Sequence, residues 1–79
     1  MKETTKERLI QIIAEQLGKG IEEVTPQSSF KDLAADSLDI LDIILKIEEE
    51  FNVDISDEKA EKINTVQELF DYLVSKGIN

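Results

Sequence analysis

Between Ser37 and Phe51 the chain carries two apolar stripes on a single helical period, and this restricts what it can fold into more than any other feature. Placed at about 100° per residue, Ile40, Ile43, Ile44, Ile47 and Phe51 form a broad stripe. Leu38, Leu41 and Leu45 form a narrower one, with Asp42 and Glu49 on one side and Glu48 on the other. The broad stripe has the width expected for packing on neighbouring helices and reads as core. The narrow stripe, edged by carboxylates, reads as a docking face for a groove that is both basic and apolar. At the start of this helix Asp36 can cap with its carboxylate, and Asp39 favours the N-terminal dipole. Ser37 is left in the first turn with a free hydroxyl, which makes it the candidate site.

The remaining elements follow from caps and spacing. Thr4 and Glu7 match a capping box, Leu9, Ile10, Ile12, Ile13 and Leu17 recur at helical spacing, and Gly18 can end the helix. Lys2, Lys6 and Arg8 gather basic charge at its start, where a structural role is favoured over a second contact site. The stretch from Gly18 to Asp36 is too long to be an idle loop in a chain of 79 residues. Ile21, Val24, Phe30 and Leu33 are expected to pin it to the core, with turns at Thr25-Pro26 and Ser28-Ser29. Ser56 can cap a short helix over residues 57 to 62. Thr65 and Glu68 open a last helix whose apolar face is Val66, Leu69, Phe70, Leu73 and Val74, and Gly77 ends it. The fold class expected is all-α: a small helical bundle of three main helices plus one short helix, with a long ordered loop between the first two. One domain over residues 1 to 79 is expected to bury only about 60% of the surface that its unfolded chain exposes.

Charge and composition exclude whole classes of function. Eighteen acids against nine bases give a net charge of −9, a field that repels nucleic acid and anionic lipid and draws in basic protein surfaces. Acidity alone would serve only solubility; its placement around the leucine stripe is what favours a docking role. With no cysteine and no histidine, the chain has neither a thiolate metal site nor the commonest general base, so any thiol chemistry must be imported. The acids Asp54, Asp57, Glu58 and Glu61 lack the alternating ligands and central glycine of a calcium loop, and no dedicated metal site is expected. No signal peptide and no membrane-spanning run is evident, so a cytoplasmic, monomeric protein without membrane insertion is the expectation.

The run A-A-D-S-L-D, followed by an apolar and acidic helix ending in I-E-E-E-F, resembles the modification site and second helix of an acyl carrier protein. The likeness is to the bacterial, free-standing type used in fatty acid synthesis. E-Q-L-G, F-K-D-L and D-E-K-A-E-K-I-N-T-V-Q extend it over nearly the whole chain. The resemblance implies that Ser37 accepts 4′-phosphopantetheine, whose thiol carries acyl chains as thioesters. It also implies that a separate phosphopantetheinyl transferase supplies base and magnesium, so that Ser37 is an acceptor and not a catalytic nucleophile. Asp36 would position the hydroxyl. Leu38, Asp39, Leu41, Asp42, Leu45, Glu48 and Glu49 would be read by fatty acid synthesis enzymes with basic docking surfaces. The acyl chain would lie between helices, and Ile47, Ile55, Ile63 and Leu69 are the expected lining. The sequence departs from the family pattern at Ala34, where glycine is common, at Ile40 and at Lys46; Ala34 matters if its backbone needs a positive φ. Two alternatives stay open: a carrier of polyketide, aminoacyl or D-alanyl cargo, and an unmodified acidic helical adaptor whose leucine stripe binds one partner helix.

Overall fold

The computed structural model describes residues 4–78. Four α-helices follow one another: α1 (Thr5–Leu17), α2 (Ser37–Phe51), α3 (Asp57–Lys62) and α4 (Val66–Ser75), with a 3₁₀ turn, Ile21–Glu23, after α1. The two capping boxes expected at Thr4/Glu7 and Thr65/Glu68 are both formed. A third box joins Asp36 to Asp39 at the start of α2, and Ser56 caps α3 by accepting from the Lys59 N–H. Each satisfies backbone donors that the first helical turn leaves without intrahelical partners.

The core is wholly apolar. Leu9, Ile12, Ile13 and Ala14 of α1 meet Ile43, Ile44 and Ile47 of α2 and Val66, Leu69 and Leu73 of α4, while no polar side chain among the described residues is buried. Full burial of each large aliphatic side chain stabilises the fold by about 1.5–3 kcal/mol. Ile40 and Phe51, the outer members of the broad stripe, are half-buried against this cluster.

At the rim, Arg8 Nη2 donates to Glu50 Oε1 at 3.0 Å, linking the start of α1 to the end of α2, which run antiparallel. Lys6 donates to Gln67 Oε1 at 3.1 Å and lies 4.7 Å from the centre of the Phe70 ring, tying α1 to α4. These two bases therefore act within the fold; Lys2 lies outside the described residues. The Arg8 hydrogen bond, and then its charge, hold the Glu50 carboxyl below its ordinary value of 4.5. Hydrogen bonds from Thr4, the backbone N–H first, do the same for Glu7. Because both values are depressed by folding, what these groups add is present above about pH 4.5 and fades as pH falls through the lowered values.

The long connection is ordered by anchors and backbone bonds. Val24, Phe30 and Leu33 are buried, whereas Ile21 is 55% exposed, contrary to its expected anchoring role. The core reaches only as far as Val24, and Ile21, at the opening of the 3₁₀ turn, stays outside it. Across the molecule the Phe30 N–H donates to the Asn64 carbonyl at 2.9 Å, and the Val66 N–H donates to the Ser28 carbonyl at 3.1 Å. Together they form a single antiparallel bridge between Ser29 and Thr65. The loop is thus sewn to the start of α4.

Just before α2 the chain makes one isolated helical turn. Ser29 Oγ accepts from the Asp32 N–H at 2.9 Å, and the Leu33 N–H donates to the Ser29 carbonyl at 3.1 Å. The turn closes with the Ala35 N–H on the Phe30 carbonyl (2.9 Å) and the Ala34 N–H on the Lys31 carbonyl (3.0 Å). That paired closure requires a left-handed residue, and Ala34 has φ +61. The same closure ends α1 at Gly18 and follows α4 at Gly77, where glycine takes the positive φ freely. Only here does the chain use alanine. Left-handed geometry disfavours an L-residue by about 1–2 kcal/mol, and the greater freedom of glycine in the unfolded chain offsets about 0.4–1 kcal/mol of that. Ala34→Gly should therefore stabilise the protein by about 0.5–1 kcal/mol, read as a higher urea midpoint at constant slope.

Candidate functional site

Ser37 is the first residue of α2 and is exposed. Asp36 stands before it in extended backbone, φ −89 and ψ −178, and its Oδ1 accepts from the Asp39 N–H at 2.9 Å. Asp39 Oδ2 accepts in return from the Asp36 N–H at 3.2 Å. The two carboxylates are thereby occupied with the backbone on either side of Ser37, and the Ser37 hydroxyl has no hydrogen-bond partner among the described residues. The first turn of α2 is fixed while its hydroxyl is free.

Beside it opens a cleft of about 740 Å³. Ser37, Ile40 and Leu41 form one wall, the Ser29–Lys31 turn with Ala35 a second, and Ala60, Ile63 and Asn64 with Asp57 and Glu61 the third. Its inner surface is made largely of Phe30, Ala35, Ile40, Leu41, Ala60 and Ile63; the charges stand on Lys31, Asp57 and Glu61. Such a volume falls within the range of small-molecule sites. The α3 wall contributes no fully buried residue, only the half-buried Ala60 and Ile63.

The structure distributes the sequence-derived residues unevenly around this cleft. Of the four expected to line an acyl pocket, Ile63 borders this cleft; Ile47 and Leu69 are completely buried in the core and Ile55 nearly so. The spacing that marks a residue as apolar cannot distinguish the core from a cavity beside it. Phe30, Ala35, Ile40 and Ala60 take the remaining places. Ile40, with Leu41 beside it in the cleft wall, was within reach of the sequence: the two lie three and four residues after Ser37, and so share its side of the helix.

On the outer face Leu38, Leu41 and Leu45 are 68%, 48% and 57% exposed, with Asp42 and Glu49 exposed beside them. Glu48 is placed differently. It is half-buried, and its Oε2 accepts from the Ile55 N–H at 2.8 Å, fastening the connection that leads from α2 into α3. Lys46 is exposed on the polar side of α2.

The site is thus a free surface hydroxyl, fixed at a helix start and opening on an apolar cleft. The sequence profile of the family described as "Phosphopantetheine attachment site" matches residues 7–73. The crystal structure of an acyl carrier protein from Thermotoga maritima superposes with a TM-score of 0.77 at 31% identity, over 95% of this chain and 94% of that one. The chain belongs to the acyl carrier proteins, the non-catalytic carriers built on a covalent 4′-phosphopantetheine attachment domain. When bound, the group supplies a thiol at the end of a long flexible arm. The residues present fit it: the hydroxyl is unpartnered, and the adjoining cleft is open to a slender chain.

Glu48→Ala should remove the acceptor from a half-buried N–H, destabilise the protein by about 1 kcal/mol, and speed hydrogen exchange at the Ile55 amide more than at amides of α1.

Proposed function

We propose that this chain carries acyl chains as thioesters on a 4′-phosphopantetheine arm attached to Ser37, and presents them to the enzymes of fatty acid biosynthesis. The observation that carries this reading is the unpartnered Ser37 hydroxyl at the edge of an apolar cleft, in a chain of the acyl carrier family. Asp36 and Asp39 hold the first turn of α2 so that the hydroxyl is presented to solvent. In the family reading the base and magnesium for attachment belong to a phosphopantetheinyl transferase, and this chain has no histidine of its own to activate the serine.

The apolar inner wall favours a hydrocarbon cargo over an aminoacyl one, which would bring a charged amine against Phe30, Ile40 and Ile63. Partners read the outer face: Leu38, Leu41 and Leu45 supply apolar contact, and Asp42 and Glu49, with the outer edge of Asp39, supply charge. A net charge of −9 steers basic surfaces toward this face, and exposed charge pairs release quickly, as a carrier visiting several enzymes requires. The reading places the protein in the cytoplasm as a monomer. Among the described residues no helix is long and apolar enough to cross a membrane.

Intact mass tests the attachment directly. Incubation with coenzyme A, magnesium and a phosphopantetheinyl transferase should add one phosphopantetheinyl group to the wild type, mapped to Ser37, and none to Ser37→Ala, whose helix content stays unchanged. Labelling of the variant, or no gain by the wild type, overturns the reading. For the docking face, joint replacement of Asp42 and Glu49 by Lys should weaken binding to a fatty acid synthesis enzyme about tenfold at low ionic strength. The deficit should shrink toward unity as salt rises to about 1 M; equal affinity at low salt would remove the face from its role.

A further inference from the structure

The cleft beside Ser37 is lined by a single cation, Lys31. Its other charged residues, Asp57 and Glu61, stand on the α3 wall, and the two carboxylates nearest Ser37 in sequence, Asp36 and Asp39, flank it on α2. A phosphodiester joined to the Ser37 oxygen carries one negative charge and would enter a surround of four carboxylates. The helix N-terminus offsets that repulsion in part: Asp36 takes the Asp39 N–H, the Ser37 and Leu38 N–H groups have no acceptor among the described residues, and their partial charge falls short of a full countercharge.

Lys31 is placed to supply the missing countercharge. Among the described residues its ammonium has no hydrogen-bond or ion-pair partner, whereas Lys6 is held by Gln67, Lys62 by Glu58, and Lys59 and Lys76 lie over the Tyr72 ring. Its backbone is not loose. The Lys31 carbonyl accepts from the Ala34 N–H, the flanking Phe30 carbonyl accepts from the Ala35 N–H, and Ser29 caps the same turn. The turn that carries Lys31 therefore leads, through the left-handed Ala34, straight into the cap of α2.

We infer that Lys31 is a positioning residue that pairs with the phosphodiester of the group on Ser37 and holds the first part of the arm against the Phe30–Ala35 wall of the cleft. The inference rests on attachment at Ser37, as proposed above. A charge-assisted contact at an exposed site is weak in itself; tethering to Ser37 gives it a high effective concentration without added affinity. Its consequence is a bias of the arm toward the cleft that rising salt removes.

The test uses wild type, Lys31→Arg and Lys31→Gln, each loaded with coenzyme A and a transferase until intact mass shows complete conversion. The readouts are the ³¹P resonance of the phosphodiester across a sodium chloride titration and nuclear Overhauser contacts from the geminal methyls of the arm. Wild type and Lys31→Arg should show contacts to Ala35 and the Phe30 ring, and a ³¹P shift that moves with salt. In Lys31→Gln the contacts should be lost, and the ³¹P shift should already match the high-salt value. Unloaded wild type and Lys31→Gln should have the same amide spectrum beyond immediate neighbours and the same melting temperature. If fully loaded Lys31→Gln keeps the wild-type contacts and salt response, the inference is overturned while the carrier reading stands. A difference already present between the unloaded proteins assigns Lys31 to a tie with Asp57 or Glu61 instead and also overturns it. Failure of all three to gain mass overturns the carrier reading, and the inference with it.

Discussion

Burial of one face of α2 is the interaction on which the rest of the structure depends. Ile43, Ile44 and Ile47 lie within a core that contains no polar side chain among the described residues, so this helix has one rotational setting in which its apolar stripe is dry. That setting leaves Leu38, Leu41 and Leu45 in water and brings Ser37, Ile40 and Leu41 to the edge of a cleft. A helix turned by one residue would move each isoleucine about 100° and lose the core. The exposed leucines are thus a consequence of how the isoleucines pack, and the exposure of an acidic, apolar face follows without any separate device.

The same division separates rigidity from openness. α1, α2 and α4 supply all the buried helical residues, and the long connection is sewn to the start of α4 through Ser28, Phe30, Asn64 and Val66. α3 supplies none; it is joined at one end by the Glu48 carboxylate on Ile55 and rests on the half-buried Ala60 and Ile63. The cleft lies where the firmly held part of the molecule meets the part with least burial. In the proposed role both properties have a use, since an acceptor serine is to be presented reproducibly while a cargo is to enter and leave.

Much of this was legible in the sequence, because caps and periodicity act over three or four residues. Thr4 with Glu7, Asp36, Ser56, and Thr65 with Glu68 mark the starts of all four helices, and the structure opens a helix directly after each cap. Ala34 stands where glycine is common in the family pattern, and its φ is positive, as that pattern implies. Less legible is the destination of an apolar residue. Ile21 looks like an anchor and lies in water; Ile47, Ile55 and Leu69 look like candidates for a pocket wall and lie in the core. Glu48 shares its chemistry with Glu49 one residue on, yet only Glu48 faces a backbone N–H that needs an acceptor.

By itself the sequence determined the four helices, the two stripes of α2 and the serine in its first turn, since these rest on neighbours along the chain. The tertiary structure decided which apolar residues border a cavity and which fill the core, which carboxylate is committed to the fold, and that Lys31 and Ser37 share one cleft. Those outcomes depend on where the loop, α2 and α3 meet. The cleft joins segments as distant as Phe30 and Ile63, and even the shorter links, Glu48 to Ile55 across the end of α2 and Lys31 to Ser37 across the left-handed turn, span irregular backbone that no helical period encodes.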